Sequence, residues 1–210
     1  MSSPLTPRVR GAYQAFTLIE LLTVIAIIGI LAGITFGVVR GVRERASIST
    51  ARAELATFAA TLDAYKRQYG DYPQVGASTQ ADPGSNPDIN SITTASAQAK
   101  LFNALTGKLG PKMGAMNGKV FLTLTQFRLE TSNLPDPGNE IEVSNAILDP
   151  WNRRYLYHYK NHNSPGVWNL PSYILYSSGP DGLTGVTITN AGVETVNNAA
   201  HAADNIYVNR

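Results

Sequence analysis

The chain contains no cysteine, so disulfides, thiolate metal sites and a cysteine nucleophile are all excluded. Charge is also scarce, with 17 basic and 15 acidic side chains among 210 residues and a net charge of +2. This balance provides no broad basic surface for nucleic acid. The sequence also lacks a nucleotide-binding glycine loop and a G-x-S-x-G elbow. We therefore expect a protein that is not an enzyme and that binds no nucleic acid.

Proline is absent between Pro7 and Pro73, and residues 16–39 contain no positive charge. This run of 24 residues is almost entirely apolar. As a helix it would extend about 36 Å, which exceeds the bilayer hydrocarbon core of about 30 Å. We expect residues 16–39 to form a transmembrane or filament-core helix. Residues 1–15 form a short leader that is basic because of Arg8 and Arg10.

One acid, Glu20, interrupts the apolar run. A carboxylate within a membrane helix costs about 2.5–3.5 kcal/mol, so it normally has a partner. If the chain were cut just before Phe16, the new α-amino group would lie about one helical turn from Glu20. In two parallel, staggered helices, the amine of one chain would meet the Glu20 of the next. This pairing favours a staggered polymer.

Two simpler interpretations explain the apolar run less well. A secretory signal peptide has an apolar region of about 7–15 residues followed by a small-residue cleavage site. This run is longer and carries an acid near its start. A plain membrane anchor explains the length but not Glu20.

Ala15 followed by Phe-Thr-Leu-Ile-Glu-Leu-Leu resembles the type IV prepilin signature. The resemblance implies that prepilin peptidase cuts between Ala15 and Phe16 and methylates the Phe16 amine. It also implies that Glu20 sets the register of subunits in a filament. Ala15 stands where the family usually has glycine. By the same resemblance, the leader lies in the cytoplasm, the chain crosses the bacterial inner membrane once, and the C-terminal domain lies in the periplasm.

Two patterns describe the helix beyond its start. Gly29, Gly33 and Gly37 recur every four residues, which permits close helix approach, so we expect them to take part in assembly. Residues 40–70 continue the helix as an amphipathic segment, which Gly70 and Pro73 end. Its predicted apolar stripe comprises Ile48, Ala51, Leu55, Phe58, Leu62, Tyr65 and Tyr69.

Residues 71–210 are predicted to form a globular periplasmic domain. Residues 74–96 read as a long surface loop and residues 97–109 as a short helix. Alternating or β-rich segments predict strands at 120–127, 155–160, 173–177, 186–189 and 206–208. The predicted fold class is α+β: a long N-terminal helix packed against a C-terminal antiparallel β-sheet, as in pilins.

The C-terminal half carries a second resemblance. The segment Leu148-Asp149-Pro150-Trp151, followed by Tyr155-Leu156-Tyr157, is similar to the DPWG-x-P-Y-x-Y motif of major pseudopilins of type II secretion systems. Residues 173–182 resemble their YxLYSxGPDG segment, and residues 65–73 resemble their helix end. Asn152 replaces the motif glycine and Arg154 the motif proline.

In that family the loop after YSxGPDG binds calcium. The resemblance implies Ser178, Asp181, the Leu183 carbonyl and Asp204 as ligands, in keeping with the preference of Ca²⁺ for oxygen. The alternative is a β-turn at residues 179–182 without any ion. The histidines are expected to be packed or solvated rather than zinc ligands.

We expect a structural subunit of a type II secretion pseudopilus, which polymerises through its N-terminal helix into a periplasm-spanning filament that drives protein export. Expected partners are copies of itself, minor pseudopilins, prepilin peptidase, the inner-membrane assembly platform and the membrane. One alternative is a type IV pilus subunit for adhesion, motility or DNA uptake. A second is a membrane-anchored periplasmic binding module or enzyme that shares only the anchor.

Overall fold

The computed structural model describes residues 17–76 and 96–208, without the side chains of residues 34–40. The predicted cleavage pair, Ala15 and Phe16, and most of the predicted 74–96 loop lie outside the described residues. The chain divides into two compact units, Met1–Arg43 and Glu44–Arg210.

Helix α1 runs from Leu18 to Tyr69. No proline interrupts it, as the sequence predicts. The helix ends at Gly70, whose φ of 86° is the left-handed conformation typical of a helix C-terminus. The Gly70 amide still donates to the Lys66 carbonyl at 2.7 Å. The predicted helix and its end are therefore confirmed over the described residues.

The predicted stripe of α1 is the core face of the second unit. Five of its members are buried: Ala51, Leu55, Phe58, Leu62 and Tyr65. Ile48 and Tyr69 are partly buried against the same core. Residues three and four apart lie on one helix face, which explains why this spacing produces one continuous buried surface.

Helix α2 spans Ala97–Leu105 and is four residues shorter than predicted. Ser96 is its N-cap, and the Ser96 side chain accepts a hydrogen bond from the Ala99 amide at 3.2 Å. It ends early because the Lys108 amide bonds back to the Asn103 carbonyl at 2.7 Å, which closes the last turn. Local turn geometry thus ends α2 before Gly110.

The predicted strand at residues 120–127 is wrong. The Phe121 and Leu122 amides both donate to the Leu105 carbonyl rather than to a strand partner. Leu124–Gln126 then form a short 3-10 helix. Alternating apolar residues indicate a strand only when a partner strand is available, and here the end of α2 takes that place.

Seven short strands and a third helix complete the described fold. The strands are β1 (Arg128–Leu129), β2 (Ile147–Leu148), β3 (Leu156–His158), β4 (Ile174–Ser177), β5 (Val186–Ile188), β6 (Glu194–Val196) and β7 (Ile206–Tyr207), with α3 at Ala199–Ala202 between the last two. Another short 3-10 helix covers Pro165–Val167. The sequence predicted β3, β4, β5 and β7 but not β1, β2, β6 or α3.

All strand pairs in the described residues are antiparallel. The central sheet has the order β3-β4-β7, and the pairs β1-β2 and β5-β6 form two smaller sheets. Leu156 faces Tyr176 and His158 faces Ile174 in the register of β3 with β4. The predicted α+β class, with a long helix and an antiparallel sheet region, is confirmed.

Aromatic residues join α1 to the strands within the second unit. The Phe58 ring lies 4.9 Å from that of Phe127 and 5.3 Å from that of Tyr155, between ring centroids. The Tyr155 hydroxyl donates to the Glu54 carboxylate at 2.5 Å, and the Tyr65 hydroxyl donates to the Leu109 carbonyl at 3.0 Å. Burial of large aromatic surfaces stabilises this core, and the hydroxyls find partners at its edge.

Candidate functional site

The first turn of α1 holds Glu20 in a reciprocal hydrogen-bond arrangement with Thr17. The Thr17 amide and hydroxyl donate to Glu20 Oε2 at 2.8 and 2.7 Å, and the Glu20 amide donates to Thr17 Oγ1 at 3.3 Å. This is a capping box, in which two side chains satisfy free amides at a helix start. Thr17 is a residue that sequence reasoning missed, although the Thr-x-x-Glu pattern signals it.

The start of α1 exposes large apolar side chains. The exposed residues are Leu18, Ile19, Leu21, Leu22, Val24, Ile25, Ile27, Ile28, Ile30 and Leu31. Leu18 is 82% exposed and the least exposed, Val24, is 48% exposed. Such a helix, apolar on every side, is typical of a segment that is covered by lipid or by other protein surfaces.

In the described parts of the chain, no helix reaches the combination of length and hydropathy that membrane crossing requires. The predicted span also includes Phe16 and the side chains of residues 34–39, which lie outside the description.

The predicted assembly glycines leave open space beside α1. A Cβ added at Gly29 or at Gly33 would meet no atom within 4 Å. The surroundings of Gly37 fall outside the described side chains. Gly29 and Gly33 therefore lie on a surface that a neighbouring helix can approach closely.

The two motifs of the second resemblance meet in space around Asp149. Asp149 Oδ1 accepts hydrogen bonds from the Trp151 and Arg153 amides, both at 2.9 Å. Its Oδ2 accepts from the Ser177 hydroxyl at 2.6 Å, and that hydroxyl accepts from the Gly179 amide at 3.1 Å. Burial raises the pKa of the Asp149 carboxyl, and these donors act against that shift. Asp149 thus connects the loop after β2 to the loop after β4.

Both departures from the pseudopilin motif have a structural explanation. Asn152 has a φ of 63°, and asparagine tolerates this left-handed conformation better than most residues, so it can replace the motif glycine. Arg154 Nη2 lies 2.5 Å from Glu130 Oε1 in an ion pair whose side chains are 7% and 0% exposed. Arg154 stands where the motif has proline, and its ion pair connects this position to Glu130, directly after β1.

The structure brings together two predicted calcium ligands. The Asp181 amide donates to Asp204 Oδ2 at 3.1 Å, although 22 residues separate the two acids in the chain. Burial, together with the nearby Asp181 charge, raises the pKa of Asp204, while the Asp181 amide opposes the shift. Asp204 Oδ1 is buried without a hydrogen-bond partner. Such an oxygen is a possible cation ligand.

Asp181, the second predicted acid ligand, is already contacted by other protein groups. Asp181 Oδ1 accepts from the Leu183 amide at 2.7 Å, and Asp181 Oδ2 lies 2.7 Å from His201 Nδ1. Ser178 is buried in the same turn. No group of three or more acidic or histidine side chains is placed to hold a metal ion within the described residues. Calcium requires about six to eight oxygens, so its binding here stays a prediction.

Sequence reasoning missed His201 and Arg153, two residues that contact the 179–182 turn. Folding brings His201 to Asp181, which lies 20 residues earlier in the sequence. Arg153 Nη1 donates to the carbonyls of Gly179 and Pro180 at 2.7 and 3.2 Å. No sequence spacing signals either contact, because both depend on how α3 and the β2–β3 loop pack on the turn.

A cleft of about 470 Å³ lies beside Asp204 in the second unit. Glu44, Arg52 and Asn205 also line it. Its walls carry charges of both signs, so the cleft does not select one class of charged ligand.

Comparisons with known proteins agree with the N-terminal motif and with the resemblance to type II secretion proteins. The prokaryotic N-terminal methylation motif matches residues 10–36. The chain is 33% identical over 81 residues to the type II secretion system core protein G of Pseudomonas aeruginosa, over 37% of this chain and 57% of that protein. The chain thus matches little more than half the length of this curated relative. No solved structure gives a significant match. The motif and the similarity support a resemblance to type IV pilin-like proteins and to a type II secretion pseudopilin.

Proposed function

We propose that this chain is a non-enzymatic structural subunit of a type II secretion pseudopilus. The observation that carries the proposal is the exposed apolar first part of α1, with Glu20 held at its first turn inside the methylation motif. An isolated subunit with this surface is poorly matched to water, whereas lipid or neighbouring helices would cover it. The similarity to a type II secretion core protein favours secretion over other pilin-like roles.

Processing is the first step in the proposed function. Prepilin peptidase removes residues 1–15 and methylates the amine of Phe16, which makes Glu20 the fifth residue of the mature chain. Residues 16–39 hold the stored subunit in the inner membrane, and residues 71–210 lie in the periplasm. Removal of the leader also removes Arg8 and Arg10, so the mature chain has 15 basic and 15 acidic side chains.

Assembly follows from the charge of Glu20. The Thr17 hydroxyl and amide keep the carboxylate at the first turn of α1. There it is positioned to accept the methylated amine of a neighbouring, axially shifted subunit, and an unpaired carboxylate would remain in lipid. Gly29, Gly33 and Gly37 allow close packing of these helices. Minor pseudopilins and the inner-membrane assembly platform are the expected partners of the growing filament.

Two measurements on the native organism test the proposal. Mass spectrometry of the mature protein should find an N-terminus at methyl-Phe16. The variant Glu20→Ala should be processed and inserted but should not assemble into filaments. Glu44→Ala is the matched control, because Glu44 is an exposed acid on the same helix outside the motif, and it should assemble normally.

The alternatives predict different outcomes. A protein that still starts at Met1, or a Glu20→Ala variant that assembles like the parent, would contradict the proposal. If Glu20→Ala abolishes long surface fibres while protein secretion continues, the chain serves a type IV pilus instead. If the deletion strain loses a periplasmic binding or catalytic activity that Glu20→Ala restores, the chain is a tethered module.

A further inference from the structure

The turn formed by residues 179–182 encloses a cation that belongs to the protein itself. Arg153 Nη1 donates to the Gly179 carbonyl at 2.7 Å and to the Pro180 carbonyl at 3.2 Å. Two consecutive carbonyl oxygens that converge on one positive group resemble the main-chain part of a cation site. Here the positive group is a guanidinium, and its hydrogen bonds to the carbonyls are charge-assisted.

The backbone of Arg153 is fixed from the opposite side. Its amide donates to Asp149 Oδ1 at 2.9 Å, and its carbonyl accepts from the Asp149 amide at 2.7 Å. Asp149 is itself fully buried and bound to Ser177, next to the turn. The same carboxylate therefore fixes the backbone of Arg153 and, through Ser177, the start of the turn, while the guanidinium is held by its own hydrogen bonds to the turn carbonyls.

Gly182 packs directly on this guanidinium. It has a φ of 76°, and a Cβ added there would overlap the Cζ, Nε and Nη1 atoms of Arg153. The turn therefore closes around Arg153, and glycine is the residue that allows this approach. The acid of the turn, Asp181, is already paired with His201.

We propose that Arg153 is the resident cation of the 179–182 turn and that this chain folds the turn without a divalent metal ion. The guanidinium neutralises the converging carbonyl dipoles, which is the structural task that the family resemblance gives to calcium. Asp204 Oδ1 then remains a buried oxygen at the margin of the turn rather than part of a complete ligand shell. The inference does not depend on polymerisation, because it concerns the stability of the subunit.

Thermal unfolding of the full chain in detergent, followed by circular dichroism, tests the proposal. The parent should unfold at the same temperature in excess calcium chloride and in chelator. Arg153→Gln should lower Tm in chelator by about 5 °C, because it removes charge-assisted hydrogen bonds from a chain of this size. Arg128→Gln is the matched control, since Arg128 also donates to a carbonyl, that of Pro150, but is exposed. It should change Tm little.

Two results would overturn the proposal: a parent Tm that rises with calcium, or an Arg153→Gln Tm equal to that of Arg128→Gln. If Arg153→Gln does not fold, Arg153→Lys decides, because it keeps the charge but loses the planar fork. An Arg153→Lys variant that folds with a Tm below the parent's, and whose Tm calcium does not change, supports the resident cation, whereas a Tm equal to the parent's in chelator but raised by calcium overturns it.

A second pair of variants separates contact with Arg153 from backbone strain. Gly182 and Gly138 have similar positive φ values, but a Cβ added at Gly138 would meet nothing within 4 Å. The variants Gly182→Ala and Gly138→Ala therefore share the backbone strain and differ in the contact with Arg153. Gly182→Ala should lower Tm more than Gly138→Ala does. In an Arg153→Gln background the excess should shrink, since the overlapping Cζ and Nη1 atoms are gone. An excess that stays the same in both backgrounds contradicts the packing of the turn around Arg153.

Discussion

Both parts of helix α1 carry large apolar side chains, but the first part exposes them and the second part buries them. Leu22 is 53% exposed in the first unit, whereas Leu55 is 1% exposed in the second. In residues 48–69 the apolar positions form a stripe and the other faces are polar, so the helix can bury that stripe in its own domain. In residues 18–31 nearly every position is apolar, and no single domain face can cover all sides. The first part is thus suited to assembly and the second to folding.

The sharpest test of this comparison uses one substitution in both parts. Leu55→Ala should lower the free energy of unfolding by about 2–5 kcal/mol, because it leaves a cavity in the core. Leu22→Ala should change it by less than about 0.5 kcal/mol, since the side chain is exposed. Urea unfolding in detergent measures both. Equal losses of stability in the two variants would remove the distinction between the parts of α1.

Acid should destabilise the second unit through His158. This residue is buried and stacks on Tyr176, and burial lowers its pKa from 6.5 to about 3. The unfolded chain binds a proton below pH 6.5 and the folded chain does not, so stability is lost as pH falls from about 6.5 toward 3. The slope from this residue is about 1.4 kcal/mol per pH unit.

His158→Phe removes this titration while keeping an aromatic ring beside Tyr176. Its free energy of unfolding should depend less steeply on pH between 6.5 and 4 than that of the parent. Tyr176→Phe is the matched control, because it alters the stacked partner but keeps the imidazole, and it should retain the parent's slope over the same range. Parallel curves for the parent and His158→Phe would exclude His158 as the cause of acid sensitivity.

Two variants that each remove one hydroxyl extend the comparison to hydrogen bonds. One hydroxyl bonds to the second part of α1 and the other lies within the first part. Tyr155→Phe leaves the Glu54 carboxylate without its 2.5 Å donor, and burial already raises the pKa of that carboxyl. We expect a loss of about 1–3 kcal/mol in unfolding free energy. Thr23→Val removes an exposed hydroxyl that donates to the Glu20 carbonyl and should have almost no effect. A larger loss for Thr23→Val would contradict the comparison.

The smallest expected effect is a gain. Gly29→Ala should stabilise α1 by up to about 1 kcal/mol, because alanine favours helix and the position has open space. Far-ultraviolet circular dichroism of the subunit in detergent would detect the gain. The same variant should weaken filament assembly if the glycine surface is a helix-packing surface. Normal assembly would show that Gly29 is not needed for close approach.

Sequence reasoning was most successful where the pattern itself specifies local structure. The i, i+3, i+4 stripe located α1 and its buried face, and the Gly70 stop located its end. Failures occurred where distant partners decide, as at residues 120–127, where the Phe121 and Leu122 amides bond to Leu105 at the end of α2 instead of to a strand. The short strands β1, β2 and β6 have two or three residues each, too few for a readable alternation.

The sequence by itself determined the prepilin-type start, the long helix, the α+β class and the presence of two pseudopilin-like motifs. These features depend on short-range spacing and on one charge in an apolar run, and neither depends on contacts between distant parts of the chain. Only the tertiary structure decided that Arg153 occupies the 179–182 turn, that His201 meets Asp181, and that Arg154 pairs with Glu130. Those contacts join residues 20–27 positions apart, and their energies depend on burial and orientation, which sequence spacing does not record.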